Sequence, residues 1–164
     1  MIVGHGTLAS VLTDHPDRVY FASGVPNSQE TRETEYQREK DLLLQQDKTR
    51  RLVYFSTISI FFKDSRYTQH KLEMEKLIKE NFPRYTIMRL GNVVWGNNPV
   101  HLLPFFRQKH DKGEPIEVQD VYRFPLELDE FLFWIDNIPG FNCEINVSSN
   151  RMKVIDLLKK YVYN

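Results

Sequence analysis

Short apolar runs alternate along this chain with longer stretches of mixed polarity. The runs are rich in β-branched and aromatic residues and lie between turn-forming residues, which is typical of strands. They predict strands at residues 1–4, 19–22, 52–60, 85–90 and 143–147. The sequence therefore predicts strands spread over the whole length of the chain.

The stretches between these runs have the features of helices. Asn27 or Ser28 can cap the first long helix, and Asp64 or Ser65 can cap the second, which Pro83 closes. The predicted helices lie at residues 7–12, 27–47, 64–83, 100–112, 129–138 and 152–161. Because strands separated by helices form βαβ units, we expect an α/β fold with a parallel sheet and helices on both faces.

Length and composition narrow the class of protein. A chain of 164 residues is large enough for one domain with its own core, so residues 1–164 are expected to form a single domain. The 22 basic and 22 acidic residues balance, and this excludes nucleic acid and anionic membranes as expected partners. The apolar runs are too short to span a bilayer and no secretory signal is recognised, which predicts a cytoplasmic protein. The single Cys143 is interpreted as a small apolar side chain.

A hydroxyl and a Tyr-x-x-x-Lys pair follow each other around the third predicted strand. Thr57 and Ser59 end the strand, and Tyr67 and Lys71 lie in the next helix. A lysine ammonium one helical turn from a tyrosine lies on the same face and favours the phenolate form. A strand-end hydroxyl can hold a substrate oxygen while the tyrosine gives or takes a proton. The segment therefore predicts proton transfer, and the alternative is a chance match of the spacing.

The same spacing occurs a second time in the chain. Tyr36 and Lys40 repeat it in a helix that we interpret as merely solvated. The spacing alone is therefore weak evidence, and the strand-end hydroxyl of Thr57 is what favours Tyr67 and Lys71.

A glycine turn follows the first predicted strand. Gly4, Gly6 and Ala9 form a G-x-G-x-x-A pattern, in which the backbone can approach a pyrophosphate at a helix N-terminus. The alternative is a tight turn between strand and helix with no ligand. No second histidine lies at metal-ligand spacing from His5, so no metal site is predicted.

Taken in order, these segments resemble the extended short-chain dehydrogenase/reductase family. That family contains nucleotide-sugar epimerases, dehydratases and dTDP-4-dehydrorhamnose reductases. The similar segments are residues 1–12 (first strand and nucleotide-binding turn), 19–24 (fourth strand), 55–61 (fifth strand), 67–71 (Tyr-x-x-x-Lys), 89–96 (R-x-x-N-x-x-G), and 113–116, 122–124 and 128–129 (substrate-domain stretch). The resemblance implies a Rossmann-like fold.

The resemblance also implies roles for individual residues. Tyr67 would be the proton donor or acceptor, Lys71 would lower its pKa and position the cofactor ribose, and Thr57 would orient a carbonyl. A nicotinamide cofactor, NAD or NADP, would contact Gly4, Gly6, Thr7, Ala22 and Ser23. Asn92 and Arg123 would contact a nucleotide-linked sugar, since a guanidinium suits phosphate. The alternative for Arg123 is a surface arginine beside Tyr122.

The chain departs from the family between its first two strands. The family has two further βα units there, whereas Ala9 and Val19 are only ten positions apart. The second and third strands, which hold the adenosine, are therefore expected to be missing, together with the acidic residue that binds its ribose. The helical asparagine of the catalytic set has no counterpart, because Glu35 or Tyr36 falls there. A rival register makes residues 19–22 the second strand.

The missing strands have a consequence for assembly. The first strand becomes a sheet edge, with Ile2 and Val3 partly uncovered. The family dimerises through the helices equivalent to residues 30–46 and 66–81, so a homo-oligomer is expected, with an edge-strand contact as a second candidate.

Two functions remain open. The first is an NAD(P)-dependent oxidoreductase or epimerase that acts on a nucleotide-linked sugar. The second is a catalytically impaired remnant of the fold that serves as a binding or assembly module. The Thr57, Tyr67 and Lys71 set favours the enzyme, and the missing adenosine half favours the remnant.

Overall fold

A computed structural model describes residues 1–25, 27–97 and 102–163 of the chain. Contacts divide the chain into two compact units. The first unit comprises Met1–Arg89 and Asn137–Asn146, and the second comprises Leu90–Asp136 and Val147–Asn164. The single domain expected from the chain length stays a prediction.

Strands and helices alternate as the sequence pattern predicts. In chain order the elements are β1 (Ile2–Val3), β2 (Arg18–Phe21), α1 (Glu33–Leu44), β3 (Arg51–Thr57), α2 (Arg66–Asn81), β4 (Tyr85–Leu90), β5 (Asn92–Val93), α3 (Leu102–Asp111), β6 (Tyr122–Arg123), β7 (Pro125–Leu126), α4 (Leu128–Asp136), β8 (Cys143–Val147), β9 (Met152–Lys153) and α5 (Val154–Tyr161). The main sheet is parallel and has five strands in the order β1-β2-β3-β4-β8. This confirms the α/β class with a Rossmann-like parallel sheet.

The strand order decides between the two registers left open by the sequence. In a doubly wound dinucleotide fold the strand order is 3-2-1-4-5-6, so only two strands lie on the second-strand side of the first, and the longer side begins with the fourth. Here four strands follow one another on one side of β1, beginning with β2. The strand β2 therefore corresponds to the fourth strand of that fold, and the rival register is wrong. Within the described residues nothing pairs with the other side of β1, where Ile2 and Val3 are half-buried.

Both faces of the central strands are removed from water. Alternate side chains of β2, β3 and β4 pack against α1 and α2 in one apolar cluster, formed by Val19, Phe21, Leu43, Leu52, Tyr54, Met74, Ile78, Phe82 and Ile87. The intervening residues Tyr20, Val53 and Met88 point to the opposite face and are also buried. The apolar runs therefore form the centre of the first unit, where α1 and α2 are held against the sheet.

The helix predicted at residues 7–12 is wrong. Only Ala9–Val11 form a helical turn, of the 3₁₀ type, and the backbone is extended again at Leu12. The amide of Ser10 reaches the carbonyl of Gly6 at 3.0 Å, but the amide of Leu12 reaches only back to Ala9. So short a segment does not repay the cost of nucleating an α-helix.

The first long helix begins later than predicted, at Glu33 instead of residue 27. The side chain of Asn27 accepts a hydrogen bond from the amide of Gln29, and the Glu30 carboxylate accepts from two following amides. These side chains satisfy the backbone locally, which competes with helix formation. The preceding segment is therefore a loop, and the helix also ends earlier, at Leu44.

Other boundaries shift by a few residues. The third strand ends at Thr57, because a 3₁₀ turn takes over at Ile58. The last helix begins at Val154, since Met152 and Lys153 pair as a strand with β6. Residues 100 and 101 of the predicted helix at 100–112 lie outside the described residues. No helix in the described part of the chain is long and apolar enough to cross a membrane.

Candidate active site

The N-terminus of α2 is fixed by a reciprocal cap. The Ser65 side chain accepts a hydrogen bond from the Thr68 amide, and the Thr68 hydroxyl oxygen accepts from the Ser65 amide. This capping box satisfies two amides that a helix start leaves unpaired. It places Tyr67 in the first turn of α2 and Lys71 one turn later.

Tyr67 is half-buried, and its hydroxyl takes part in no hydrogen bond found among the described residues. The Lys71 ammonium lies 5.7 Å from the centre of the Tyr67 ring. The structure therefore brings the predicted pair onto one side of the helix.

Lys71 itself is directed into the core. Its side chain is only 3% exposed, and its Nζ donates to Glu39 Oε1 at 3.0 Å and to the Tyr54 hydroxyl at 2.9 Å. Both partners come from other elements, α1 and β3. The lysine is thus held by a carboxylate that the sequence did not single out.

Glu39 is completely buried and has a partner for each carboxylate oxygen. Oε1 accepts from the Tyr54 hydroxyl at 2.7 Å as well as from Lys71. Oε2 accepts from the Val25 amide at 2.8 Å and lies 3.0 Å from His70 Nε2. Because a carboxylate can only accept, Nε2 carries the proton of that imidazole. The His70 Nδ1 atom is buried and has no partner among the described residues.

The electrostatics of this network keep both members of the ion pair charged. Burial alone raises the pKa of Glu39, but the Lys71 ammonium and the surrounding hydrogen bonds outweigh it and hold this pKa well below its ordinary value. Burial likewise lowers the pKa of Lys71, and the Glu39 charge more than compensates, so the pKa is raised. Burial raises the pKa of Tyr67. The Lys71 charge lowers this pKa and the Glu39 charge raises it, and the net shift is upward.

The loop after β2 closes over the ion pair. A Cβ atom at Gly24 would lie 2.9 Å from Lys71 Nζ and 3.2 Å from Glu39 Oε1. Only a residue without a side chain lets the backbone pass so close. Gly24 therefore lets the backbone of this loop lie directly against Lys71 Nζ and the Glu39 carboxylate.

The strand-end hydroxyls differ in what they contact. Ser56 is buried and donates to Glu75 at 2.6 Å. The Thr57 oxygen accepts from the Ser59 amide at 3.2 Å and caps the 3₁₀ turn, which leaves its proton free to be donated. The catalytic role of Thr57 stays a prediction.

The glycine turn brings some of the predicted cofactor residues together. Gly4 has φ +118°, and a Cβ there would lie 2.5 Å from the carbonyl oxygen of Ala22 and 3.0 Å from the amide of Ser23. At Gly6 a Cβ would meet nothing within 4 Å. The Thr7 carbonyl accepts from the Ser10 hydroxyl. The turn is therefore formed, but the α-helix whose N-terminus would face a pyrophosphate is not.

The two predicted substrate residues lie in the second unit. Asn92 is in β5, which pairs in parallel with β7. The backbone N–H of Asn92 donates to the backbone carbonyl of Phe124. Arg123 is in β6 and its guanidinium donates to the carbonyl of Tyr122 at 3.1 Å. Their roles in substrate binding stay predictions.

The second Tyr-x-x-x-Lys match is not on a merely solvated helix, so that interpretation is wrong. Tyr36 is 1% exposed, donates to the Glu30 carbonyl at 2.7 Å and packs on the His70 ring. Lys40 is paired with Glu73 at 2.7 Å. The Tyr36 hydroxyl is therefore fully engaged in the fold.

A signal for Glu39 was present in the sequence. Tyr36, Glu39 and Leu43 are spaced three and four apart, which places a carboxylate on the buried face of a helix. Such a carboxylate needs a cation or donors, and Lys71 is its partner in space. Among the described residues no cluster of acidic, histidine or cysteine side chains could hold a metal ion.

Comparisons with known proteins find the fold but no close relative. No protein-family model and no curated protein matches the chain. The enzyme WbmH of Bordetella bronchiseptica, solved with NAD+, superposes with a TM-score of 0.72 at 18% identity over 88% of this chain and 56% of that one. The Bacillus cereus UDP-glucuronic acid 4-epimerase, solved with UDP-glucuronic acid and NAD, superposes with a TM-score of 0.68 at 18% identity, over 87% of this chain and 57% of that one. The Thermotoga maritima UDP-glucose 4-epimerase, solved with UDP-glucose, superposes with a TM-score of 0.69 at 16% identity, over 88% of this chain and 59% of that one.

The chain has the fold of these three enzymes. The resemblance predicted from the sequence is confirmed at that level. The chain spans little more than half the length of the solved structures it matches.

Proposed function

We propose that this chain is an NAD(P)-dependent oxidoreductase or epimerase for a nucleotide-linked sugar, with Tyr67 as the proton donor or acceptor. The observation that carries the proposal is the Tyr67 hydroxyl. It lies one helical turn before Lys71 and has no hydrogen-bond partner among the described residues. A tyrosine with this placement, in a fold shared with NAD-bound epimerases, supports proton transfer at a sugar oxygen.

Tyr67 acts first as a proton donor. Burial raises its pKa above the ordinary value, so the hydroxyl carries its proton at neutral pH. It can therefore protonate the oxygen of a carbonyl as that oxygen gains negative charge, while Thr57 donates a second hydrogen bond. In the reverse direction the phenolate takes the proton back.

The described residues include part of the predicted cofactor site and lack the strands that are expected to hold its adenosine half. Gly4, Ala22 and Ser23 meet at the ends of β1 and β2, where ligands bind in doubly wound folds. Bound NAD would accept or return a hydride at a sugar carbon. The described residues provide no strand beyond β1 to hold an adenosine, so we expect weak cofactor affinity.

The proposed substrate class is a nucleoside diphosphate sugar. The Bacillus cereus and Thermotoga maritima neighbours are epimerases of UDP-sugars. Arg123 suits a diphosphate because a guanidinium can make two parallel hydrogen bonds to phosphate oxygens. Asn92 follows a strand end and can bond a sugar hydroxyl.

A second candidate is a remnant of the fold that binds or assembles without turnover. The observation in its favour is the engagement of Lys71 by Glu39 and Tyr54, which leaves little of this lysine for a cofactor. A remnant would keep the network for stability alone.

Replacing Tyr67 by phenylalanine tests the proposed function. With NADH and a 4-keto UDP-sugar as probes, Tyr67→Phe should lower kcat by about 10²–10⁴-fold, which is the usual contribution of a positioned acid or base. NADH affinity should stay nearly unchanged, because the ring is kept. The matched control is Tyr36→Phe, which removes the hydroxyl from the second Tyr-x-x-x-Lys match and should retain turnover. Equal turnover by Tyr67→Phe and the wild type would rule out the proton-transfer role.

A further inference from the structure

The ion pair between Glu39 and Lys71 is the feature of the site that the family resemblance does not account for. Glu39 belongs to α1 and reaches Lys71 across 32 positions of sequence. Both side chains are removed from water, with exposures of 0% and 3%. Burying two charges is costly unless their geometry and hydrogen bonds are good.

The geometry leaves Lys71 little freedom. Its ammonium has three protons, of which one goes to Glu39 and one to the Tyr54 hydroxyl. Tyr54 in turn donates to the same carboxylate oxygen, so the three groups form a closed triangle. The backbone at Gly24 covers the triangle from the side of the loop after β2.

We propose that Glu39 is a positioning residue for the reaction of Tyr67. It anchors the Lys71 ammonium in the core, so that the lysine charge is held at a fixed place beside Tyr67. This inference rests on the proposed function and deepens it, since it states what the lysine of the Tyr-x-x-x-Lys pair does in this chain.

The charged groups around Tyr67 shift its pKa in opposite directions. Lys71 favours the phenolate and Glu39 opposes it. Tyr36 and Tyr54 are buried and have raised pKa values, and Tyr67 is one of the groups that raise them. Glu75 acts on Lys71 and Tyr54 but has no resolved effect on Tyr67. Lys71 is therefore the charge that favours the Tyr67 phenolate, and Glu39 holds it in place.

The test measures the pKa of Tyr67 directly, by NMR on protein that carries isotope-labelled tyrosine. The Tyr67 signal is assigned by its absence from Tyr67→Phe. Glu39→Gln should raise this pKa, because the buried Lys71 loses its anchor and the counter-charge that keeps it protonated. Lys71→Met should raise it, because it removes the favouring charge. Each shift should be about one pH unit or more, as expected for a charge close by in a buried site.

Two control variants separate positioning from structure. Glu75→Gln removes another buried carboxylate, one that bonds Ser56 and Arg89 instead of Lys71. Asp41→Asn removes an exposed carboxylate from the same helix as Glu39. Both should leave the Tyr67 pKa in place. A lower Tyr67 pKa in Glu39→Gln, as expected if Glu39 acted only through its own charge, or a shift in Glu75→Gln as large as that in Lys71→Met, would overturn the proposal.

A measurement on the unaltered protein covers the case in which a single variant fails to fold. In protein with nitrogen-labelled lysine, the Lys71 ammonium protons should exchange with water at least tenfold more slowly than those of exposed lysines. Exchange as fast as at Lys76, which is 77% exposed, would overturn the proposal. Neither readout depends on turnover. The absence of NADH binding would end the proposed function, whereas these two readouts decide separately whether Glu39 fixes Lys71 beside Tyr67.

Discussion

At the residue scale, a buried ion pair stabilises the fold only while both groups are charged. The folded pKa of Glu39 is lowered, so its contribution is present above the ordinary value of 4.5 and is lost as pH falls towards the lower folded value. The folded pKa of Lys71 is raised, so its contribution is present below the ordinary value of 10.5 and is lost as pH rises through the higher folded value. The pair therefore stabilises most between these two limits.

Breaking the pair on one side should be costly. Glu39→Gln should lower the free energy of unfolding at neutral pH by about 3–5 kcal/mol, because Lys71 is left buried without a counter-charge. The double variant Glu39→Gln/Lys71→Met should recover most of this loss. Urea unfolding over a range of pH measures both, and the gap between wild type and Glu39→Gln should narrow in acid. Asp41→Asn, on the exposed face, should change stability by less than about 0.5 kcal/mol. A cost for Glu39→Gln no larger than this control would contradict the assigned role of the pair.

The sequence could place Tyr67 and Lys71 on one helix face, because their spacing fixes it. It could not find the partner of Lys71, since Glu39 reaches the lysine only through packing of α1 on α2. The same holds for Tyr54, which comes from β3. Local spacing therefore identified the candidate pair, and tertiary packing determined what the lysine contacts.

At the element scale, the turn after β1 depends on one glycine more than on the other. Gly4→Ala should destabilise the fold by more than about 1 kcal/mol, because its φ of +118° is strained for alanine and the new Cβ would collide with Ala22. Gly6→Ala, where a Cβ meets nothing within 4 Å, is the matched control and should be tolerated. Thermal unfolding of the two variants makes the comparison. Equal stability would show that the tight contact between β1 and β2 is not required.

The predicted element bounds failed where short-range hydrogen bonds compete. The strands at Tyr85–Leu90 and Cys143–Val147 have exactly the predicted bounds, because apolar runs between turn residues mark them clearly. The helix predicted at residues 7–12 could not be judged from its pattern, since one turn of helix has almost no signal of its own. The start of α1 was misplaced because Asn27 and Glu30 bond to nearby amides.

At the scale of the whole molecule, we expect the chain to form a homodimer through α1 and α2. Leu44 and Leu72 on these helices are 40% and 47% exposed. Leu72→Glu should shift a dimer towards monomer in light scattering at micromolar concentration, since it puts a charge on the contact. Phe141→Glu alters a side chain that is 69% exposed on a loop and should leave the mass unchanged. A wild type that is strictly monomeric would contradict this expectation.

The proposed function requires a cofactor site on a sheet that has β1 as its edge strand. The sheet contains β3, which ends at Thr57 and precedes the helix that carries Tyr67. On the other side, β1 lies at the sheet edge, and no further strand pairs with it among the described residues. The proposed catalytic residues and part of the proposed cofactor site are thus joined to a sheet that ends at β1. An enzyme of this design must still hold a nicotinamide.

The most direct measurement is a titration of NADH and NADPH into the purified protein, followed by nucleotide fluorescence. We predict saturable binding of at least one of them, weakened by the missing adenosine contacts. The absence of any binding of either at millimolar concentration would contradict the proposed oxidoreductase and leave a remnant of the fold as the better description.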